Sequence, residues 1–98
     1  MNSESAASAF QALGNVHRID VLRMLVKAGS HGLNVTQLRD GLELPASTLA
    51  HHLKMLKDAG VVRQEKVGRE IVSYAEFCRL RDLGSFLLED CCKGFSRT

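Results

Sequence analysis

The sequence lacks the hydrophobic segments that would place the protein in or across a membrane. No run approaches the roughly 18 consecutive apolar residues of a transmembrane helix. Residues 1–14 lack the basic start and apolar centre of a signal peptide. Internal repeats, low-complexity runs and linkers are also missing. We therefore expect one cytoplasmic domain covering residues 1–98, with no membrane partner.

The sequence also lacks a strong excess of charge of either sign. Its 98 residues carry 13 Lys and Arg against 11 Asp and Glu, a net charge of +2, which is far from a polybasic composition. The basic residues are nevertheless unevenly placed. Within residues 46–69 only Asp58 and Glu65 are acidic, against Lys54, Lys57, Arg63, Lys66 and Arg69. A local basic excess of this kind indicates a nucleic-acid-binding face.

Cysteine is scarce, and enzyme motifs are absent. The three cysteines are an odd number, and in a reducing compartment they are expected to be free thiols or metal ligands rather than a disulfide framework. There is no glycine-rich phosphate loop and no acid–base pair at a plausible spacing, and no histidine is near the cysteines in sequence. We therefore expect neither an enzyme nor an organic cofactor.

The segment from Pro45 to Gly60 predicts a helix with two different faces. At about 100° per residue, the leucines at positions 49, 53 and 56 fall on one side. The opposite side carries Ser47, Ala50, His51 and Lys54. A surface helix that needed only solubility would carry more Glu and Lys. The outer face is instead typical of a helix that binds phosphates and base edges.

The rest of the chain predicts further helices and one β-hairpin. Asn15 is a cap residue, Asn34 with Gln37 resembles a capping box, and Gly68 lies in a turn between two strand-like segments. The predicted helices are Glu4–Leu13, Asn15–Ala28, Asn34–Gly41, Pro45–Gly60 and Glu76 to about Cys92, and the predicted strands are Val61–Lys66 and Glu70–Ala75. The order ααααββα is mainly α with a β-hairpin wing, which is a winged helix-turn-helix.

Three motifs in order resemble the ArsR/SmtB family of winged helix-turn-helix repressors. They are Ala12–Leu25 (ALGNVHRIDVLRML), Ser47–Leu56 (STLAHHLKML) and Ala59–Val62 (AGVV), and the resemblance covers about residues 8–92. Members of that family are homodimers that repress metal- or metalloid-resistance operons and release DNA when the ion binds. The resemblance therefore implies a homodimeric repressor, paired through its terminal helices, on an inverted repeat in double-stranded DNA.

Groove chemistry divides the predicted DNA contacts into two groups. The side chains expected near base edges in the major groove are Ala46, Ser47, Thr48, Ala50 and His51. The side chains expected on phosphates are Lys54, Arg63, Lys66 and Arg69. Ala46 departs from the family pattern, in which Gln is frequent. Specificity is therefore expected to depend on Ser47, His51 and DNA shape.

The resemblance also indicates where an inducing ion would bind. The family's usual arsenite site, a Cys-Val-Cys at the start of the third helix, is replaced here by Asn34-Val35-Thr36. Its zinc site needs a histidine on the last helix, where residues 81–85 contain none. The remaining candidates are Cys91 and Cys92, together with Cys78. This C-terminal pair resembles variant regulators that sense trivalent arsenic.

Helix geometry predicts that these cysteines meet across a dimer. Cys78 and Cys91 are thirteen residues apart, or roughly 20 Å along a helix, so they cannot share an ion within one chain. A two-fold axis between Gly84 and Ser85 would place Cys78 of one protomer opposite Cys91 and Cys92 of the other. Soft thiolates suit trivalent arsenic or antimony, so the candidate inducers are arsenite, methylarsenite and antimonite. The same cysteines are compatible with a redox or persulfide switch.

Some of these residues fit a structural role as well as a functional one. Cys78, beside Phe77, is equally compatible with a small buried side chain. His51 is predicted to face DNA, whereas His52 is equally compatible with partial burial in the helix packing. His17 has no visible partner in the sequence.

Overall fold

A computed structural model describes residues 1–95 of the chain. Within these residues it contains five α-helices and three strands that form one antiparallel sheet. The elements are α1 (Ser3–Leu13), α2 (Val16–Ala28), a short 3-10 turn (Gly29–His31), β1 (Leu33–Asn34), α3 (Val35–Leu42), α4 (Ala46–Asp58), β2 (Val62–Val67), β3 (Glu70–Ala75) and α5 (Phe77–Leu88). The predicted winged helix-turn-helix is confirmed: α3 and α4 form the helix-turn-helix, and the β2–β3 hairpin forms the wing.

Asparagine side chains set the start of three helices. The Asn15 side chain accepts a hydrogen bond from the Arg18 amide, which caps α2 as predicted. Asn34 and Gln37 form the predicted capping box of α3, with distances of 2.8 and 2.9 Å. Asn2 caps α1 in the same way, although the sequence did not single it out. Each cap satisfies amide groups that have no partner inside the helix.

The sheet contains one strand that the sequence did not predict. Strand β1 pairs with β3, with Leu33 opposite Ser73, and places β3 between β1 and β2. Gly32 precedes β1 with φ of 64°, and a Cβ atom there would lie 2.6 Å from the Tyr74 ring and 2.7 Å from the Ser73 carbonyl oxygen. Glycine is therefore required for the close approach of this segment to β3.

The core is formed mainly by aliphatic side chains from the helices and the base of the wing. Leu25, Leu38, Leu49 and Leu56 are completely buried, and Val61 continues the core into the turn before β2. The burial of Leu49, Leu53 and Leu56 confirms the predicted inner face of α4. At about 1.5–3 kcal/mol for each fully buried aliphatic side chain, this packing holds α4 against the rest of the domain.

The last helix ends earlier than the sequence predicted. Helix α5 ends at Leu88 and not near Cys92. Glu89 has an extended backbone, with ψ of 132°, and both Asp90 and Cys92 have a left-handed backbone, with φ of 61° and 63°. Acidic residues at this end of a helix oppose its dipole, which favours termination at this point. Cys91 and Cys92 therefore lie in a turn beyond the helix.

The molecule is elongated, measuring 58 × 23 × 19 Å along its principal axes. Several large apolar side chains remain exposed on the terminal helices, including Phe10 on α1 and Phe77, Leu87 and Leu88 on α5. Within residues 1–95, no helix is long and apolar enough to cross a membrane.

Candidate nucleic-acid interface

The outer face of α4 presents the groups that the sequence predicted there. All nine predicted DNA contacts are exposed, namely Ala46, Ser47, Thr48, Ala50, His51, Lys54, Arg63, Lys66 and Arg69. Pro45 occupies the N-cap of α4, and no side chain caps this end of the helix. The first amides of α4 are therefore open to an anionic acceptor such as a phosphate, which the helix dipole favours.

His52 lies on the inner face of α4, one residue from the exposed His51, and is only 7% exposed. An Arg18 guanidinium nitrogen lies 3.4 Å from its Nδ1. Because arginine can only donate, Nδ1 accepts this hydrogen bond, so the imidazole is neutral. Burial lowers the pKa of His52, and the positive charge of Arg18 and the neighbouring His17 and His51 lower it further.

The His52 environment joins three helices. The His17 ring on α2 lies 5.9 Å from the His52 ring, which supplies the partner that the sequence left unidentified. The Arg18 Nε group donates to the carbonyl oxygen of Ala12 on α1. The structural role considered for His52 is therefore confirmed: His52 is buried against Arg18 and His17 of α2, and Arg18 in turn binds α1, while His51 remains exposed.

The predicted phosphate-binding residues differ in their existing partners. Lys54 forms an ion pair with Asp58 at 2.8 Å, which raises the pKa of Lys54. Arg63 is bound more extensively: it contacts Glu65, lies 3.0 Å from Glu76, and stacks 4.3 Å from the centre of the Tyr74 ring. A phosphate would have to compete with these groups for Arg63.

The wing-tip residues Lys66 and Arg69 differ from Lys54 and Arg63 in their ion-pair partners. Within residues 1–95 neither of them is held in an ion pair. Lys66 and Arg63 are three residues apart on β2, so their side chains leave opposite faces of the sheet. The structure therefore separates one predicted contact, Arg63, from the basic groups at the tip.

The three cysteines are reduced and exposed. Cys78 is exposed in the single chain, so it is not the small core side chain considered for this position. The Cys91 and Cys92 sulfur atoms lie 3.1 Å apart, and the hydrogen bond between them raises the pKa of the Cys91 thiol. No group of three or more His, Cys, Asp or Glu side chains is placed to hold a metal ion within residues 1–95 of one chain. A three-thiol site would therefore need a second protomer.

The fold and the exposed face of α4 together define a class of protein. An exposed polar recognition helix, docked as the second helix of a helix-turn-helix and flanked by a basic hairpin, is the arrangement of a winged helix-turn-helix DNA-binding protein. Residues 13–65 match the family described as a helix-turn-helix domain. An uncharacterized HTH-type transcriptional regulator of Methanocaldococcus jannaschii, MJ1325, is 40% identical over 65 residues, which are 66% of this chain and 71% of that protein.

Solved structures narrow the class to one family. An ArsR-like transcriptional regulator from Rhodococcus sp. RHA1 has 31% sequence identity and a TM-score of 0.77, over 86% of this chain and 76% of that chain. The ArsR family transcriptional regulator RHA00566 has 26% identity and a TM-score of 0.79, over 100% of this chain and 98% of that chain. The protein belongs to the ArsR family of helix-turn-helix transcriptional regulators.

Proposed function

We propose that this regulator is a homodimeric repressor that leaves an inverted-repeat operator when a trivalent arsenical binds Cys91 and Cys92. The observation that carries the proposal is the pair of exposed thiols with sulfur atoms 3.1 Å apart. Within residues 1–95, no histidine or carboxylate completes a metal site with these thiols. Two thiols at this separation suit a soft, thiophilic element. Arsenite, methylarsenite and antimonite all have this character.

The binding reaction is an exchange of hydroxide for thiolate. Methylarsenite, CH3As(OH)2, would form two As–S bonds, and the two thiol protons would leave with the two hydroxide groups as water. The raised pKa of Cys91 keeps its proton in place until this exchange occurs. Arsenite or antimonite has a third hydroxide to exchange. A third thiol, Cys78 of the partner protomer, would therefore favour these over the monomethylated ligand.

The surface of α5 supports a two-fold pairing. Phe77, Gly84 and Leu88 follow one another at spacings of seven and four residues, which places them on one stripe of the helix. Phe77 and Leu88 are 42% and 68% exposed, and a Cβ atom on Gly84 would meet nothing within 4 Å. A second α5 can therefore approach closely at Gly84, with apolar contacts on either side.

The proposed signal passes from the thiols to the DNA-binding face through packed helices. Leu83 of α5 lies in the same core as Leu49 and Leu56 of α4. A change in the α5 crossing would alter the separation of the two α4 helices in the dimer. Coupling between such sites is typically about 1–3 kcal/mol, or roughly 5- to 150-fold in affinity.

Fluorescence anisotropy of the reduced protein on DNA from its own promoter tests the proposal. Arsenite, methylarsenite, antimonite, zinc and peroxide are titrated in parallel. Trivalent arsenicals are expected to release the wild-type protein, and Cys91→Ser and Cys92→Ser are expected to stay bound. Cys78→Ser tests the third thiol separately. This variant should reduce the response to arsenite more than the response to methylarsenite. Full arsenite affinity in Cys78→Ser would exclude the inter-subunit thiol.

The same sulfur contact supports one alternative. Peroxide would take two electrons and two protons from Cys91 and Cys92, forming a disulfide between adjacent residues and two molecules of water. A persulfide signal would act at the same thiols. Release by peroxide alone would establish the redox switch, and release by none of the five agents would contradict both the arsenical and the peroxide responses.

A further inference from the structure

An apolar groove separates the recognition helix from the wing. It has a volume of about 260 Å³ and is lined by Val35, Ala50, Leu53, Lys54, Lys57, Gln64 and Ile71. This volume lies below the roughly 300–1,000 Å³ of sites for drug-sized ligands. The groove is therefore suited to a small molecule.

The groove exists because the sheet extends beyond the helix that covers it. Ile71 lies two and four residues before Ser73 and Ala75, on the same face of β3. Ser73 and Ala75 are buried beneath the helices, whereas Ile71 is 43% exposed. Val35 at the start of α3 is 37% exposed on the other side, and the buried Leu53 forms the floor. These side chains form an apolar surface, and the displacement of water from this surface is favourable.

Lysine side chains surround this apolar surface. Lys54 and Lys57 line the groove from α4. Lys66 is directly opposite Ile71 in the hairpin, so its side chain leaves the same face of the sheet. Asp58 neutralises Lys54 in part, at 2.8 Å, but within residues 1–95 Lys57 and Lys66 have no ion pair. Glu70 precedes Ile71 on β3, and its carboxylate accepts a hydrogen bond from the side-chain amide of Asn34 at 3.4 Å.

We propose that this groove binds a small amphipathic carboxylate, with its apolar part on Val35, Leu53 and Ile71 and its anionic group at Lys57. A phosphate chain would use only the basic rim and would leave the apolar floor without a partner. A short acyl or aromatic carboxylate satisfies both surfaces. Lys66, on the same sheet face as Ile71, adds to the attraction for an anion.

Occupancy of the groove has a consequence for DNA. Ala50 and Lys54 line the groove and are also predicted to contact DNA. A bound carboxylate would therefore compete with DNA, and by linkage DNA would weaken carboxylate binding equally. This second half of the inference rests on the proposed function, whereas the binding of the carboxylate does not.

The first experiment tests binding to the full-length reduced protein without DNA. The apolar anionic dye anilinonaphthalene sulfonate is displaced by octanoate, with octylammonium and octanol as chain-matched controls. Octanoate is expected to displace dye at concentrations at least about tenfold lower than either control. Ile71→Ser and Lys57→Gln should each weaken octanoate by about tenfold. Val67→Ser, a 52% exposed position on the opposite sheet face, should leave octanoate affinity unchanged.

The results separate the possible occupants. Equal displacement by octylammonium, or no change in Ile71→Ser, would overturn the carboxylate site. If Ile71→Ser weakens DNA binding but not octanoate binding, the groove holds the DNA backbone instead, and the proposal fails. Circular dichroism melting of each variant checks that the fold is intact.

The second experiment adds DNA, using the Cys91→Ser and Cys92→Ser double variant so that the thiols cannot respond. Octanoate is expected to lower DNA affinity in this variant, and Lys57→Gln is expected to raise the octanoate concentration needed by about tenfold. Dye displacement without any effect on DNA would overturn the competition alone. A protein that binds octanoate but no DNA at all would contradict the proposed function and leave the carboxylate site standing.

Discussion

Helices α4 and α5 are of nearly equal length, 13 and 12 residues, but their burial differs greatly. Four residues of α4 are buried, namely Leu49, His52, Leu53 and Leu56, whereas only Leu83 is buried on α5. The chain therefore completes the environment of its recognition helix by itself. It leaves an apolar stripe exposed on α5, which the proposed dimer would cover. In that dimer, folding and assembly would depend on different helices.

Truncating one leucine on each helix gives the largest expected difference. Leu56→Ala removes a completely buried side chain and should lower the free energy of unfolding by about 2–5 kcal/mol. Leu88→Ala removes a side chain that is 68% exposed and should change it by no more than about 0.5 kcal/mol at low protein concentration. Urea denaturation measures both. Equal losses would contradict the contrast between the helices.

Filling the space at Gly84 tests assembly without disturbing the fold. A side chain there meets nothing within 4 Å of its Cβ in the same chain, so Gly84→Leu should fold normally. A bulky side chain at the proposed two-fold axis should nevertheless weaken dimerisation by at least about tenfold. Sedimentation equilibrium measures the effect, with Gly84→Ala as the milder control. An unchanged dimer would place the interface elsewhere.

Two of the three basic residues of the wing, Arg69 and Arg63, are expected to contribute unequally to DNA binding. Arg69→Ala removes a charge with no ion pair within residues 1–95, so it should reduce the salt dependence of log K by about 0.9 and weaken binding to all sequences. Arg63→Ala should have a smaller effect, because Glu65, Glu76 and Tyr74 already engage Arg63. Anisotropy over a range of salt concentrations measures both slopes. A change only in the preferred sequence would contradict the role of Arg69.

The smallest expected effect is the pH dependence caused by His52. Its pKa is lowered in the folded protein from the ordinary value of 6.5, because burial and Arg18 disfavour the imidazolium. The unfolded chain therefore binds the proton more readily, so stability is highest above pH 6.5 and falls as the pH drops through the folded pKa. Urea midpoints between about pH 8 and about pH 5.5 should show this fall. His52→Asn should reduce the fall and His51→Asn should not.

Much of the fold could be predicted from local signals. Asn15 and Asn34 marked helix starts, and Gly68 marked the turn of the wing. The spacing of Leu49, Leu53 and Leu56 identified the inner face of α4, and with it the outer face. These features depend on interactions between residues a few positions apart, which the order of residues specifies directly.

Other features depend on contacts between distant residues. Strand β1 forms because Leu33 pairs with Ser73 of β3. His52 owes its position to Arg18, 34 residues away, and Arg63 pairs with Glu76 across the base of the wing. No short-range sequence pattern predicts contacts between residues so far apart. The sequence alone therefore leaves the role of His52 open, and it predicts that Arg63 contacts DNA without indicating its carboxylate partners.

The sequence by itself therefore determined the helices, the wing, the outer face of α4 and the cysteine pair, because periodicity, caps and residue chemistry are local properties. Only the tertiary structure decided that β1 joins the sheet, that His52 is buried against Arg18, and that an apolar groove opens beside α4. These outcomes depend on how the surfaces of separate elements meet in space, since packing leaves some side chains covered and others exposed.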